Sequence, residues 1–223
     1  MTKDGRPSRI YDIRYFESDA QTYLKDHDEA KAFGRRIAWL LNGEGFSCGS
    51  YTALYISLST TLKPGEIQIT DKGGDWWQRY TMVGVPTDLA QMPDSSDLIA
   101  HETVSILKAI RPDATSIIDQ ANHAVEEHGE DLRFLIKTHN TKRYVVDLYC
   151  NIPTLKDEPS YLYMSLTDRA SGNFLEGPPL EIGFHDSAFD YCGPIRIADI
   201  EATLAGCTRK PKPPMSKLIK RQR

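Results

Sequence analysis

The tightest gathering of reactive side chains in this 223-residue chain is His185-Asp186-Ser187-Ala188-Phe189-Asp190-Tyr191-Cys192. It brings an imidazole, two carboxylates and a thiol into one short stretch. A general base needs an imidazole oriented by a carboxylate, and a metal needs donors that converge. In an enzyme built on this stretch, His185 is the base and Asp186 or Asp190 orients it. Asp and Ser also make ordinary strand-to-strand turns, because their side chains bond the local backbone.

Other catalytic patterns fail on spacing. His123 and His128 lie five apart on an expected helix, so their directions differ by about 140° and they cannot share a metal. His101-Glu102 opens like a zincin motif, but Ser105 stands where the second histidine is required. Gly-x-Gly-x-x-Gly, Gly-x-x-x-x-Gly-Lys-Ser/Thr and Gly-x-Ser-x-Gly are all missing. The expectation is therefore no metal and no cofactor. Four cysteines, Cys48, Cys150, Cys192 and Cys207, form no Cys-x-x-Cys pair. They read as free thiols of a cytoplasmic protein. Cys48 follows a helix C-terminus, where the macrodipole disfavours a thiolate. Cys150 shares a strand face with Val146, Leu148 and Ile152 and reads as core.

Aromatic residues point instead to binding. Trp39 lies opposite the apolar stripe of its helix, and Trp76-Trp77-Gln78-Arg79-Tyr80 opens a strand. Neighbouring tryptophans on a strand face opposite ways, so one is core and the other is not. Tyr149, Tyr161 and Tyr163 fall on non-core faces of two later strands, among Asp147, Asn151, Ser165 and Thr167. Trp, Tyr and Arg dominate binding hot spots. Trp39, Trp76, Trp77, Arg79, Tyr149, Tyr161 and Tyr163 are accordingly the partner-binding candidates.

Charge favours a basic partner. The formal net charge is −4, yet from Arg209 onward there are seven basic residues and no acidic one. The rest carries 20 basic against 31 acidic residues, a net of −11. An acidic body repels phosphate backbones and attracts basic protein surfaces. Only the tail, with Lys210, Lys212, Lys217, Lys220 and Arg221, suits nucleic acid. No run reaches the roughly 18 apolar residues of a membrane span, and the N-terminus lacks the apolar stretch of a secretory signal.

These residues must be positioned by alternating blocks of helix and strand. A short strand is expected over 9–16, then a helix over 27–42 with an Asp26–Glu29 capping box and a stop at Gly43 and Gly45. Its stripe is Ala30, Phe33, Ile37, Leu40 and Leu41. Strands follow over 51–61, 66–70 and 76–85. The first alternates Leu54, Ile56 and Leu58 with Tyr55, Ser57 and Ser59. Helices over 97–110, capped by Ser95 or Ser96, and 114–128 come next, then strands over 132–138, 142–152, 161–168, 174–184 and 195–200. His139-Asn140-Thr141 serves as a hairpin connection, and Pro178-Pro179 breaks the strand over 174–184.

Segregated helices and consecutive short strands give an α+β fold, with antiparallel sheet and three main helices packed on one side. The order also admits an αβββ pseudo-duplication, although no residue-level similarity supports it. Residues 1–8 are expected to be disordered, 9–208 to form a single domain (or two similar halves over 9–111 and 112–208), and 209–223 to form a flexible basic tail. The function expected is a non-catalytic protein-binding module acting by occlusion, such as an immunity- or antitoxin-like inhibitor of a basic effector. An enzyme around His185, Asp186 and Asp190, or a nucleic-acid binder working through the tail, is the alternative.

Overall fold

The computed structural model describes residues 7–17, 22–70 and 75–191, together with the backbone of 208–209. The fold is α+β, and the chain divides after Glu127 into two compact units. The first holds β1 (Asp12–Phe16), α1 (Asp28–Gly43), β2 (Ala53–Ser59), β3 (Ile67–Ile69), β4 (Gln78–Gly84), α2 (Ser95–Ile110) and α3 (Thr115–His128).

Its sheet runs β1-β2-β4-β3. Strands β1, β2 and β4 are parallel and only β3 is antiparallel, so the expectation of antiparallel pairing is corrected here. Parallel neighbours need a long crossover, and the segment holding α1 supplies it between β1 and β2. Pro64-Gly65 turns the chain back, but β3 goes to the outer edge and leaves β4 beside β2. Burial explains this choice. All seven residues of β2 are buried, so the expected two-faced alternation gives way to a strand covered on both sides. Strand β3 is only three residues long, with Gln68 and Ile69 exposed, which suits an edge.

Helices α1 and α2 cover one face. The Tyr15 hydroxyl meets Thr103 Oγ1 of α2 at 2.9 Å, and Gly34 of α1 lies against the same ring. Helix α1 is buried almost all round, which corrects the reading of Trp39 as a surface residue. Trp39 is 1% exposed, with the Tyr11 ring 6.1 Å away on the chain leading into β1. Asn42 Nδ2 donates to the Ile10 carbonyl on the same incoming segment. Ser8, expected in a disordered N-terminus, is buried and its N–H bonds the Gly49 carbonyl.

The capping box is absent. Asp26 and His27 hold left-handed backbone conformations, so no side chain caps α1, and His27 Nδ1 instead meets Ser95 Oγ at 3.3 Å. Ser95 therefore faces another helix and does not cap its own, whose N-cap position is Asp94.

The second unit holds β5 (Phe134–Asn140), β6 (Tyr144–Cys150), β7 (Ser160–Asp168), β8 (Phe174–Glu176), β9 (Leu180–Gly183) and β10 (Thr208–Arg209). Its sheet is antiparallel, in the order β10-β8-β7-β6-β5, with β9 paired to β7 beyond β8. Pro178-Pro179 splits β8 from β9, since proline has no N–H for the ladder. The β5–β6 turn falls two residues later than expected, where the Tyr144 N–H bonds Thr141 Oγ1. The two strand runs of the suggested αβββ repeat differ in wiring, one mixed and one an antiparallel meander. The expected strand over 195–200, the thiols Cys192 and Cys207, and the tail residues from Lys210 lie outside the described residues.

Gly84 shows how tightly the β3–β4 edge is built. Its N–H bonds the Glu66 carbonyl, its own carbonyl accepts from Gly65, and a Cβ would overlap the Lys63 carbonyl. Replacing Gly84 with Ala should cost roughly 2–4 kcal/mol in chemical denaturation, because backbone must shift to admit the methyl.

Candidate functional site: an aromatic sheet face

The face of the first sheet opposite α1 and α2 carries Asp12, Arg14 and Phe16 from β1, Ala53, Tyr55 and Ser57 from β2, and Gln78, Tyr80 and Met82 from β4. Aromatic rings collect there because alternation places Phe16, Tyr55 and Tyr80 on one side, and the chain after β1 returns Tyr23 alongside Phe16. Ring centroids are 4.7 Å apart for Phe16–Tyr23, 5.0 Å for Phe16–Tyr55, 5.2 Å for Tyr55–Tyr80 and 6.0 Å for Tyr55–Trp77. These separations are those of attractive offset and edge contacts. Five rings thus form one continuous patch.

Its polar groups are arranged to hold the rings. Gln78, itself buried, donates from Nε2 to the Tyr55 hydroxyl at 3.2 Å. Its Oε1 accepts from the Tyr80 hydroxyl at 3.5 Å and from the Asp75 N–H at 3.1 Å. Arg14 pairs with Asp12, donates to the Tyr23 hydroxyl at 3.2 Å and stands 5.7 Å from the Tyr55 ring. Burial works against its charge, but Asp12 and Tyr23 outweigh that and hold it cationic. Burial pushes the hydroxyls of Tyr55 and Tyr80 above their ordinary range, so both stay neutral.

The residues singled out from the sequence are divided by this geometry. Trp76 and Trp77 precede β4, so the alternation expected of strand neighbours does not govern them; Trp77 is half-buried on the cluster and Trp76 is 77% exposed. Arg79 points to the other side of β4 and is spent internally. Its Nη1 donates to the Cys48 carbonyl at 3.1 Å, and its guanidinium lies 5.7 Å from the Tyr51 ring. Tyr149 is fully buried, so with Trp39 it is removed from the contact surface. Tyr161 and Tyr163 are half-buried. His185 begins a 3-10 turn and is 5% exposed, with the Phe184 ring 4.2 Å away. Asp186 is half-buried and Asp190 exposed. Among the described residues no three of His, Cys, Asp or Glu gather as metal ligands, and no helix is long and apolar enough to cross a membrane.

Reading the sequence alone missed Arg14, Phe16, Tyr23, Tyr55 and Tyr80. The signal available was Arg14, Phe16 and Tyr55 at alternate positions on two strands. It says nothing of pairing until β2 is known to lie beside both β1 and β4. No known protein family, no curated protein and no solved structure matches this chain.

Cys48 belongs to the scaffold. Burial pushes its thiol up to about 12, although Arg79 and Arg111 partly offset that. The folded protein keeps a proton that the unfolded chain, with an ordinary thiol at 9.0, gives up. Stability should therefore fall as pH rises from 9 toward 12, at up to about 1.4 kcal/mol per pH unit from this group. Urea unfolding across that range should show a shallower slope in Cys48→Ala, and Ellman's reagent at pH 8 should leave Cys48 unmodified until the protein unfolds.

Proposed function

We propose that this protein is a non-catalytic binding module whose first sheet docks another protein through the aromatic face. The observation that carries the reading is the continuous patch of Phe16, Tyr23, Tyr55, Trp77 and Tyr80, opening to solvent at Tyr23, which is 55% exposed. Trp76 stands exposed beside it in sequence. Rings already fixed by their neighbours and by Gln78 lose little freedom on binding, so the area they bury converts efficiently into affinity. Arg14 and Asp12 at the margin give a polar rim that can select register.

The partner proposed is a protein with a basic surface. The body, at −11 without the basic tail, speeds encounter with such a surface, while the aromatic patch supplies the desolvated contact. Occlusion of a basic effector is the form of action that needs no catalytic group.

The test compares wild-type protein with Tyr23→Ala and Trp76→Ala as immobilised bait in native lysate, followed by affinity measurement on the purified captured protein. Both side chains are largely exposed, so folding should survive. Each change should weaken binding by about 30-fold or more, as hot-spot truncations do. The on-rate for wild type should also drop as salt screens the acidic body. Capture that is indifferent to both substitutions would refute the reading.

A further inference from the structure

The second sheet carries a polar row unrelated to the aromatic face. Asp147 on β6, Ser165 on β7 and Glu176 on β8 are register partners in succession, so all three side chains rise from one face. All are buried, at 6%, 1% and 1% exposure. With strands spaced about 4.8 Å apart, the two carboxylates flank the serine across about 10 Å of backbone and can reach toward it.

The groups around them treat the two acids differently. Glu176 Oε2 pairs with Arg133 Nη1 at 2.6 Å, and that guanidinium lies 3.7 Å from the centre of the Tyr163 ring. Asp147 is held by neutral hydroxyls, with Thr138 donating to Oδ1 at 2.7 Å and Tyr149 to Oδ2 at 3.2 Å. Burial, and then the Asp147 charge, push the Tyr149 hydroxyl up, which keeps it a donor. Ser165 lies near enough to Tyr149 to ease that ionisation slightly, yet its buried Oγ makes no well-formed hydrogen bond. Among the described residues Asp147 thus has no cation beside it, and the nearby Ser165 Oγ makes no well-formed hydrogen bond, so the row keeps acceptor capacity for a cation.

We propose that the Asp147–Ser165–Glu176 row binds one primary ammonium group, from a free alkylamine or from a lysine side chain. An ammonium has three compact donors, matching the three oxygen-bearing side chains, and its charge completes Asp147. A guanidinium fits less well, since Arg133 already covers the flat face of Tyr163. Thr138, Tyr163 and Arg133, each half-buried, lie beside the row.

The test titrates full-length protein with n-butylammonium and with Nα-acetyl-lysine amide at constant ionic strength, following tyrosine resonances by NMR. Tetramethylammonium is the control, with the same charge and no N–H donor. Saturable shifts confined to Tyr149 and Tyr163, with Kd on the order of 1 mM, are expected for the primary amines and not for tetramethylammonium. The tighter of the two amines identifies the source. Asp147→Asn should weaken binding at least about tenfold, the scale of a hydrogen bond between charged groups, and Ser165→Ala by about threefold, the scale of an ordinary one. If Asp147→Asn fails to fold, Ser165→Ala carries the comparison. Equal shifts from tetramethylammonium, unchanged affinity in the variants, or no saturation would each overturn the proposal. None of these outcomes bears on capture through Tyr23 and Trp76.

Discussion

Strand β2 runs between two parallel neighbours with all seven of its side chains shielded from water. A strand without a wet face needs a layer on each side, and the rest of the first unit meets that demand. On one side α1 and α2 close over the sheet at Tyr15, on the face that Leu54, Ile56 and Leu58 share. On the other, Tyr55 is shielded by Phe16, Tyr80 and Trp77. The aromatic face is thus a consequence of central-strand burial as much as a surface suited to a partner. The two roles are compatible because Phe16 and Tyr55 stay dry while Tyr23 at the margin stays open to solvent.

Charge is handled differently in the second unit. There Arg133, just before β5, reaches across the sheet to Glu176 on β8, and both ends of the pair are shielded. Shielding strengthens such a pair and equally raises the cost of losing either member. It also ties the first strand of the meander to the last strand of its core, so the network specifies register as well as contributing energy. Asp147 sits in the same layer under a different rule, satisfied by hydroxyls. The two acids, on either side of Ser165 in one row, are thus satisfied in different ways.

Local pattern was a sound guide to where elements begin and a poor one to what they touch. The helices over 28–43, 95–110 and 115–128, and the strands from 134 to 183, lie close to where apolar spacing and the Gly and Pro stops put them. Trp39 was misplaced because a helical wheel ranks faces by hydrophobicity. It cannot know that the segment around Ile10 and Tyr11 will close over the second face. Asp26 and Glu29 have capping spacing, but the left-handed backbone at 26 and 27 turns Asp26 away from that role. The Arg133–Glu176 pair joins residues 43 apart, and nothing local distinguishes it from any other Arg and Glu.

What the amino-acid order decides alone is the alternation of helix with strand, the acidic balance of the body, and the lack of nucleotide and zincin signatures, since each depends on neighbours a few residues apart. The pairing of strands belongs to the tertiary structure. Whether β4 lies beside β2 or beyond β3 turns on which arrangement buries a two-faced strand, a comparison between whole packings. With that pairing come the convergence of Phe16, Tyr55 and Tyr80, the loss of Trp39 and Tyr149 to the interior, and the meeting of Asp147, Ser165 and Glu176 on one face.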